Sequence, residues 1–377
     1  MGKEGKLFSE HLLKKSKGER EKFFNDYTVS HPIMRKALQE LKEEIYTGSQ
    51  NIIMVVGPSG VGKSRLFYAT MYSIIKDLKE VIDADKSIIP VSGIELPNPD
   101  LGKFNWKDFY FRALFSLNEP LIDNKIDVNK YKNDNDKTIV KNTSTAAVLR
   151  RSLENAFYYR KTKAFLIDEA QHFFKINSNK YGESEKNQTQ FNSIKSLANM
   201  SNTKIVLFGT YNLNSVFNLD GQLSRRVKEV HFPRYDYNKS IDKKHFQAIL
   251  LTFQKLLPVE EEPNLKEYSE FMYENCIGCA GILKNWLQRC LSDAIENNEK
   301  TITLANLKKN ALQTKKLLTL ANEAIEGEWA FKESDSDKEQ LKAILGIKKE
   351  EVKGKPKVKT NLAPGVRMPN RDNVGSK

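Results

Sequence analysis

Ile52-Ile53-Met54-Val55-Val56-Gly57-Pro58-Ser59-Gly60-Val61-Gly62-Lys63-Ser64 joins an apolar run to a glycine-rich segment. Its first five residues are apolar and end at a Gly-Pro pair, which reads as a short strand buried on both faces. The next eight, Gly57 to Ser64, match the pattern G-x-x-x-x-G-K-[ST]. Beyond them Phe67, Met71, Ile74, Ile75 and Leu78 recur at helical spacing. Strand, glycine-rich loop and helix in that order form a phosphate cradle. The glycines let the backbone curl until successive N–H groups and the positive end of the helix face one anion. Gly57, Pro58, Ser59, Gly60, Val61, Gly62, Lys63, Ser64 and Arg65 are thus the candidate ATP-binding residues. Lys63 is placed to reach the β and γ oxygens, and the Ser64 hydroxyl to ligate Mg2+.

A second buried run, Ala164-Phe165-Leu166-Ile167, ends in Asp168-Glu169. Carboxylates at the end of a buried strand suit the other half of the site, with Asp168 holding Mg2+ and Glu169 orienting and deprotonating the attacking water. A third run, Lys204–Phe208, ends in Gly209-Thr210-Tyr211-Asn212, so Thr210 or Asn212 is placed to sense a γ-phosphate. Arginines follow in Gln222-Leu223-Ser224-Arg225-Arg226-Val227, where one of them can stabilise transition-state charge on a neighbouring subunit's nucleotide.

Working outward, an amphipathic helix is expected from Pro32 to Gly48, with Met34, Ala37, Leu38, Leu41 and Ile45 on one face. Ser87–Val91 is a further short apolar run. Strands alternating with helices predict an α/β fold, a parallel sheet covered on both faces. After His231-Phe232-Pro233 the strand pattern stops, and helical spacing continues to about Ala330 through Phe246, Ile249, Leu250, Phe253, Leu256, Leu257, Ile282, Leu283, Trp286 and Leu287. The expected organisation is an N-terminal docking arm over 1–30, a nucleotide-binding domain over 31–238, an all-helical lid over 239–330 and a basic tail over 331–377. The polar stretches Asn124–Thr143 and Asn177–Gln188 read as surface loops.

The succession of phosphate loop, Asp168-Glu169-Ala170-Gln171-His172, Gly209-Thr210-Tyr211-Asn212 and the Gln222–Tyr235 segment resembles the TniB and TnsC family of AAA+ ATPases that regulate transposition. Ile94-Glu95-Leu96-Pro97-Asn98-Pro99, with the Phe109–Phe115 helix after it, is similar to that family's second strand and following insertion. The likeness spans about Pro32 to Lys300 and is most specific in Gln222–Arg234. It implies an ATP-dependent oligomer, a ring or helical filament around duplex DNA, that connects a target-selection protein to the transposase. It also implies Arg226 as the trans-acting arginine, with Arg225 the second choice. Gly281-Ile282-Leu283-Lys284 resembles the lid's second sensor, which would bring Lys284 to the γ-phosphate. Lys103 and Lys107 are the positions it favours for contacts to the DNA backbone, with Lys125, Lys130 and Lys132 as alternatives.

The chain has 377 residues and a net charge of +13, a balance that favours a polyanionic partner. From Ile347 on, nine Lys/Arg face three Asp/Glu and no aromatic residue occurs. Its Arg367-Met368-Pro369-Asn370-Arg371-Asp372 stretch suits a segment that folds on a transposase or endonuclease partner; tethering to DNA is the other reading. No apolar run is long enough to span a membrane, the N-terminus lacks the apolar middle of a signal peptide, and three cysteines make no disulfide framework, so a cytoplasmic protein is expected. Cys276 and Cys279 lack two partners for tetrahedral zinc and read as buried small residues. No triad or carboxylate cluster for cutting DNA is visible, which leaves strand cleavage to a partner. Two rivals share the ATPase parts: a replication initiator of the origin-recognition type, which would need a winged-helix domain after the lid, and a signalling or chaperone ATPase indifferent to DNA.

Overall fold

The structure, a computed structural model, describes residues 5–99, 104–125, 145–174, 183–213, 226–332 and 335–347. Five parallel strands form one sheet in the order β2-β3-β4-β1-β5. They are β1 (Ile52–Val56), β2 (Val91–Glu95), β3 (Ala164–Asp168), β4 (Lys204–Gly209) and β5 (Val227–His231). The side chains of β1 divide by alternation. Ile53 and Val55 join one core with Leu166, Val206, Phe208 and Val230, whereas Ile52, Met54 and Val56 join the other with Phe165, Ile167, Ile205 and Leu207. All five are 2% exposed or less, and each contributes roughly 2 kcal/mol by leaving water.

The first core is covered by α2 (Pro32–Thr47) and α3 (Lys63–Asp77), the second by α5 (Trp106–Ser116), α6 (Ala146–Tyr159) and α7 (Glu183–Ser201). Local chemistry sets the helix ends. Pro32 opens α2, whose buried face is Met34, Ala37, Leu41 and Ile45, and the Asn105 side chain accepts the N–H groups of Lys107 and Asp108 at the start of α5. The short helix α4 (Lys79–Ala84) continues from α3.

Downstream of β5 the chain is helical, in α8 (Ser240–Leu256), α9 (Ser269–Cys276), α10 (Ala280–Glu296), α11 (Leu304–Asn310) and α12 (Thr314–Trp329). Phe246, Phe253, Leu283 and Trp286 extend the first core into this region, and the Trp286 indole donates to the Leu307 carbonyl at 3.0 Å. Helix α12 returns to the sheet. Gly327 lies against the Tyr211 ring, Arg234 pairs with Glu328 (Nε to Oε1 3.1 Å), and Phe331 stacks on His231 with ring centroids 4.4 Å apart. The chain divides into two compact units, Met1–Phe331 and Lys332–Lys377; the second contains α13 (Asp335–Ile344).

Three expectations change. The strand expected at Ser87–Val91 begins at Val91, because Asp85 turns the chain by accepting the Ser87 N–H and Pro90 has no N–H for a ladder. The polar stretch Asn177–Gln188 is helical from Glu183. The N-terminal residues do dock, but on their own chain: α1 (Lys17–Asp26), opened by a Ser16–Glu19 capping box, buries Phe24 against Phe253, and Arg20 donates to the Pro258 carbonyl. Most of the loop expected at Asn124–Thr143, from residue 126 on, lies outside the described residues, as does the tail from 348.

Candidate nucleotide site

Every strand of a parallel sheet ends at the same edge, and here that edge gathers the candidate residues. Val56 pairs with Gly209, so Gly57 and Thr210 leave the sheet side by side. β3 delivers Asp168 and Glu169 on the far side of β4. The strand bearing Thr210 therefore lies between the phosphate loop and the acidic pair.

The loop itself curls as its glycines require. Gly60 and Gly62 have φ of +74° and +114°, and a Cβ on Gly60 would meet Ile282 Cγ1 at 2.5 Å. The Gly60 carbonyl accepts the Ile282 N–H at 3.1 Å, and a Cβ on Gly281 would meet that carbonyl oxygen at 2.5 Å. The N-terminus of α10 thus joins the N-terminus of α3 at the loop, and two positive helix ends face one place.

Lys63 is 7% exposed and donates to the carbonyls of Gly57 at 3.1 Å and Pro58 at 2.9 Å. Burial pushes its ammonium below the usual lysine range; the charges of Glu169, Asp168 and, from α12, Glu323 oppose this. Burial pushes the Asp168 carboxyl up, opposed by hydrogen bonds from the Ser64 hydroxyl and the Glu169 N–H, the latter at 2.9 Å. A hydroxyl and a carboxylate in contact are hard oxygen donors of the kind Mg2+ takes, with water and phosphate completing its shell, so these residues fit that ion.

Glu169 has φ of +53°, a left-handed conformation that costs a non-glycine residue about 1–2 kcal/mol. It caps the 3-10 turn Ala170–Phe173. The Gln171 side-chain amide donates to Glu169 Oε2 and accepts the Thr210 N–H at 3.4 Å. Thr210 is half-buried at the end of β4, and Asn212 is exposed on the turn that follows.

Arg226 is half-buried immediately before β5, at the end of the sheet opposite the phosphate loop. Five strand residues, roughly 17 Å, separate the two ends, so Arg226 cannot reach its own chain's site. Arg225, Lys103, Lys130 and Lys132 lie outside the described residues. Lys107 is exposed in the first turn of α5, whereas Lys125 is paired with Glu119 at 3.1 Å. Lys284 does not lie free in the site. Its ammonium donates to the carbonyls of Asn25 and Tyr27, 2.6 Å each, and Arg65 donates to Asn25 as well, at 2.9 Å. Desolvation in this position, with the Arg65 charge nearby, lowers the Lys284 pKa to about 8.

Three contributions escaped the sequence reading. Tyr27, Thr28, Val29, His31 and Met34 line a mainly apolar pocket with Val61, Gly62, Arg65 and Lys284, beside the phosphate loop. Gln171 and Glu323 are the others. Gln171 stands within the acidic motif, which assigns it no role, and nothing in the spacing of Tyr27–Met34 or Glu323 marks them. Cys276, Cys279 and Cys290 are buried free thiols, and no group of three or more His, Cys, Asp or Glu suited to a metal occurs among the described residues.

The family model of the AAA domain (AAA_22) matches residues 46–217. No curated protein matches the sequence. Among solved structures, the Aeropyrum pernix ORC2 protein in its ADPNP–ADP complexes is similar at 14% identity, with a TM-score of 0.50 over 78% of this chain and 73% of that one. The ORC1 protein of the same organism, solved in complex with DNA, is similar at 14% identity and a TM-score of 0.51, over 78% of this chain and 70% of that one. Residues 46–217 thus match the AAA domain, and the fold is that of the AAA+ P-loop ATPases.

Proposed function

We propose that the protein is an ATPase that assembles on duplex DNA and regulates transposition, linking a target-selection protein to the transposase. The observation that carries the assembly is the place of Arg226. It sits at the wrong end of the sheet for its own nucleotide, which supports a role on a neighbour's. A site completed by a second subunit hydrolyses ATP only within a ring or filament.

In this reading the N–H groups of Gly60 to Ser64 hold the phosphates, and Lys63 exchanges its two carbonyl partners for phosphate oxygens. The pocket between Tyr27–Met34 and Lys284 takes the base. Ser64 and Asp168 hold Mg2+, which neutralises charge on the phosphates. Glu169 accepts a proton from the attacking water while Thr210 or Asn212 contacts the γ-phosphate, and Arg226 of the next subunit stabilises the transition state. Lys103 and Lys107 contact the DNA backbone, which gives affinity without sequence preference. Hydrolysis then acts as a timer for disassembly, and the basic tail recruits the transposase.

The likeness to two ORC proteins, one of them solved with DNA, favours a second reading as a replication initiator. Imaging the protein with a non-hydrolysable ATP analogue, with and without a random-sequence duplex, separates the possibilities. Rings or filaments on any duplex support the transposition regulator; assembly confined to particular sequences supports the initiator. Particles indifferent to DNA count against both. Lys63→Ala is expected to abolish ATP binding, and Glu169→Gln to keep binding while lowering turnover about 100-fold or more.

A further inference from the structure

One polar side chain at the site has no part in the scheme above. Gln171 lies within the short turn after β3, half-buried, and its amide is used at both ends. The Nε2 group donates to Glu169 Oε2, and Oε1 accepts the Thr210 N–H at 3.4 Å. The side chain passes so close over the end of β4 that a Cβ on Gly209 would meet Oε1 at 2.9 Å and Leu213 Cδ2 at 2.9 Å. Glycine at 209 therefore leaves the space that the amide occupies. Glu169 needs restraint: its backbone is left-handed, and three rotatable bonds separate its carboxylate from the chain. Its N–H is tied to Asp168 Oδ1 at 2.9 Å, and Gln171 ties the other end of the residue.

We infer that Gln171 is the positioning residue of the hydrolytic carboxylate, holding Glu169 in register with the Gly209–Thr210 end of β4. An amide is the group for this because it offers one donor and one acceptor in fixed relation. A carboxylate at 171 keeps the acceptor toward Thr210 but has no proton for Glu169, and a leucine has neither. Any movement of the Thr210 backbone when a γ-phosphate arrives is thereby transmitted to the carboxylate that acts on water. The inference rests on the reading of Glu169 as the base in ATP hydrolysis.

Gln171→Leu, Gln171→Glu and Gly209→Ala test it, the last without touching the amide chemically. Each is expected to lower the single-turnover hydrolysis rate about 10- to 100-fold, because orientation and not binding is lost. KM for ATP and the dissociation constant of a fluorescent ATP analogue should stay within about twofold. Affinity for ADP–aluminium fluoride should fall by the same factor as the rate, a selectivity that general loosening of the site would not produce. In a Glu169→Gln background, Gln171→Leu should add nothing, since it acts through that carboxylate. Wild-type rates in the Gln171 variants, equal losses in ATP and analogue binding, or a full further loss in the Glu169→Gln background would overturn the inference while leaving the ATPase reading in place. Absence of turnover in the wild-type protein with Mg2+ and DNA would remove the ATPase reading itself, and the inference with it.

Discussion

At the scale of single residues, burial and partners decide what the ionisable groups do. His31 is 6% exposed, its Nδ1 lies 2.8 Å from the Tyr235 hydroxyl, and its ring stacks on Phe232. Desolvation, with the Arg35 charge beside it, lowers its pKa to about 4. Both folded and unfolded chains carry neutral His31 at pH 7. As the pH falls below about 6.5 the unfolded chain takes up a proton that the folded one refuses, and stability drops until about pH 4. The full effect is about 3 kcal/mol for this residue. His231, half-buried and likewise lowered to about 4 mainly by burial, titrates in the same window. His31→Asn should cost about 1–2 kcal/mol at pH 7 through the lost ring packing and hydrogen bond. It should lose less than the wild type between pH 7 and pH 4.5, so that the two converge in urea unfolding; parallel pH slopes would contradict the assignment. The sequence marked Lys63, Asp168 and Glu169 through their motifs, but His31 and Gln171 carry no pattern. Their roles depend on what folds against them.

At the scale of elements, helices from distant parts of the chain close the site. The C-terminal carbonyls of α1 hold Arg65 of α3 and Lys284 of α10, so one short N-terminal helix ties the phosphate-loop helix to the helical region. At the other side α12 is fastened by Arg234, which donates to the Tyr273 hydroxyl at 2.9 Å and pairs with Glu328. Both side chains of this pair are about 15% exposed, so breaking it strands a charge. Glu328→Ala should therefore lower stability by about 2–3 kcal/mol, and adding Arg234→Leu should recover part of the loss. Urea midpoints of the single and double variants check this. If Glu328→Ala left the midpoint unmoved, α12 would not depend on the pair. Strand and helix positions were legible because their apolar periods are strong, as in β1 and α2. That α1 docks on its own chain was not legible, since a polar helix with one buried phenylalanine does not say what it docks on.

At the scale of the whole molecule, positive charge is spread unevenly along the sequence. Met1–Phe331 forms one compact unit, whereas +6 of the +13 lies from Ile347 onward. Among the described residues no helix is long and apolar enough to cross a membrane. Under the proposed function, deleting Ile347–Lys377 should leave the thermal midpoint and nucleotide-dependent DNA assembly unchanged while abolishing capture of a transposase. A gel shift and a pull-down check the two halves of that expectation. Loss of DNA binding on deletion would instead assign the tail to DNA.

The strand–loop–helix cradle, the acidic pair at the end of a buried strand, the parallel sheet and the helical region after it are all written in the order of residues along the chain. Each depends on short-range periodicity or on a motif whose spacing is its geometry. That Arg226 lies at the far end of the sheet from its own phosphate loop emerges from the fold, because it depends on strand order and direction. The fold likewise makes Tyr27–Met34 a wall of the pocket and lets Gln171 join Glu169 to the end of β4. Apart from the Gln171–Glu169 bond, these contacts bring together residues separated by tens to hundreds of positions, and no local preference of the chain encodes such pairings.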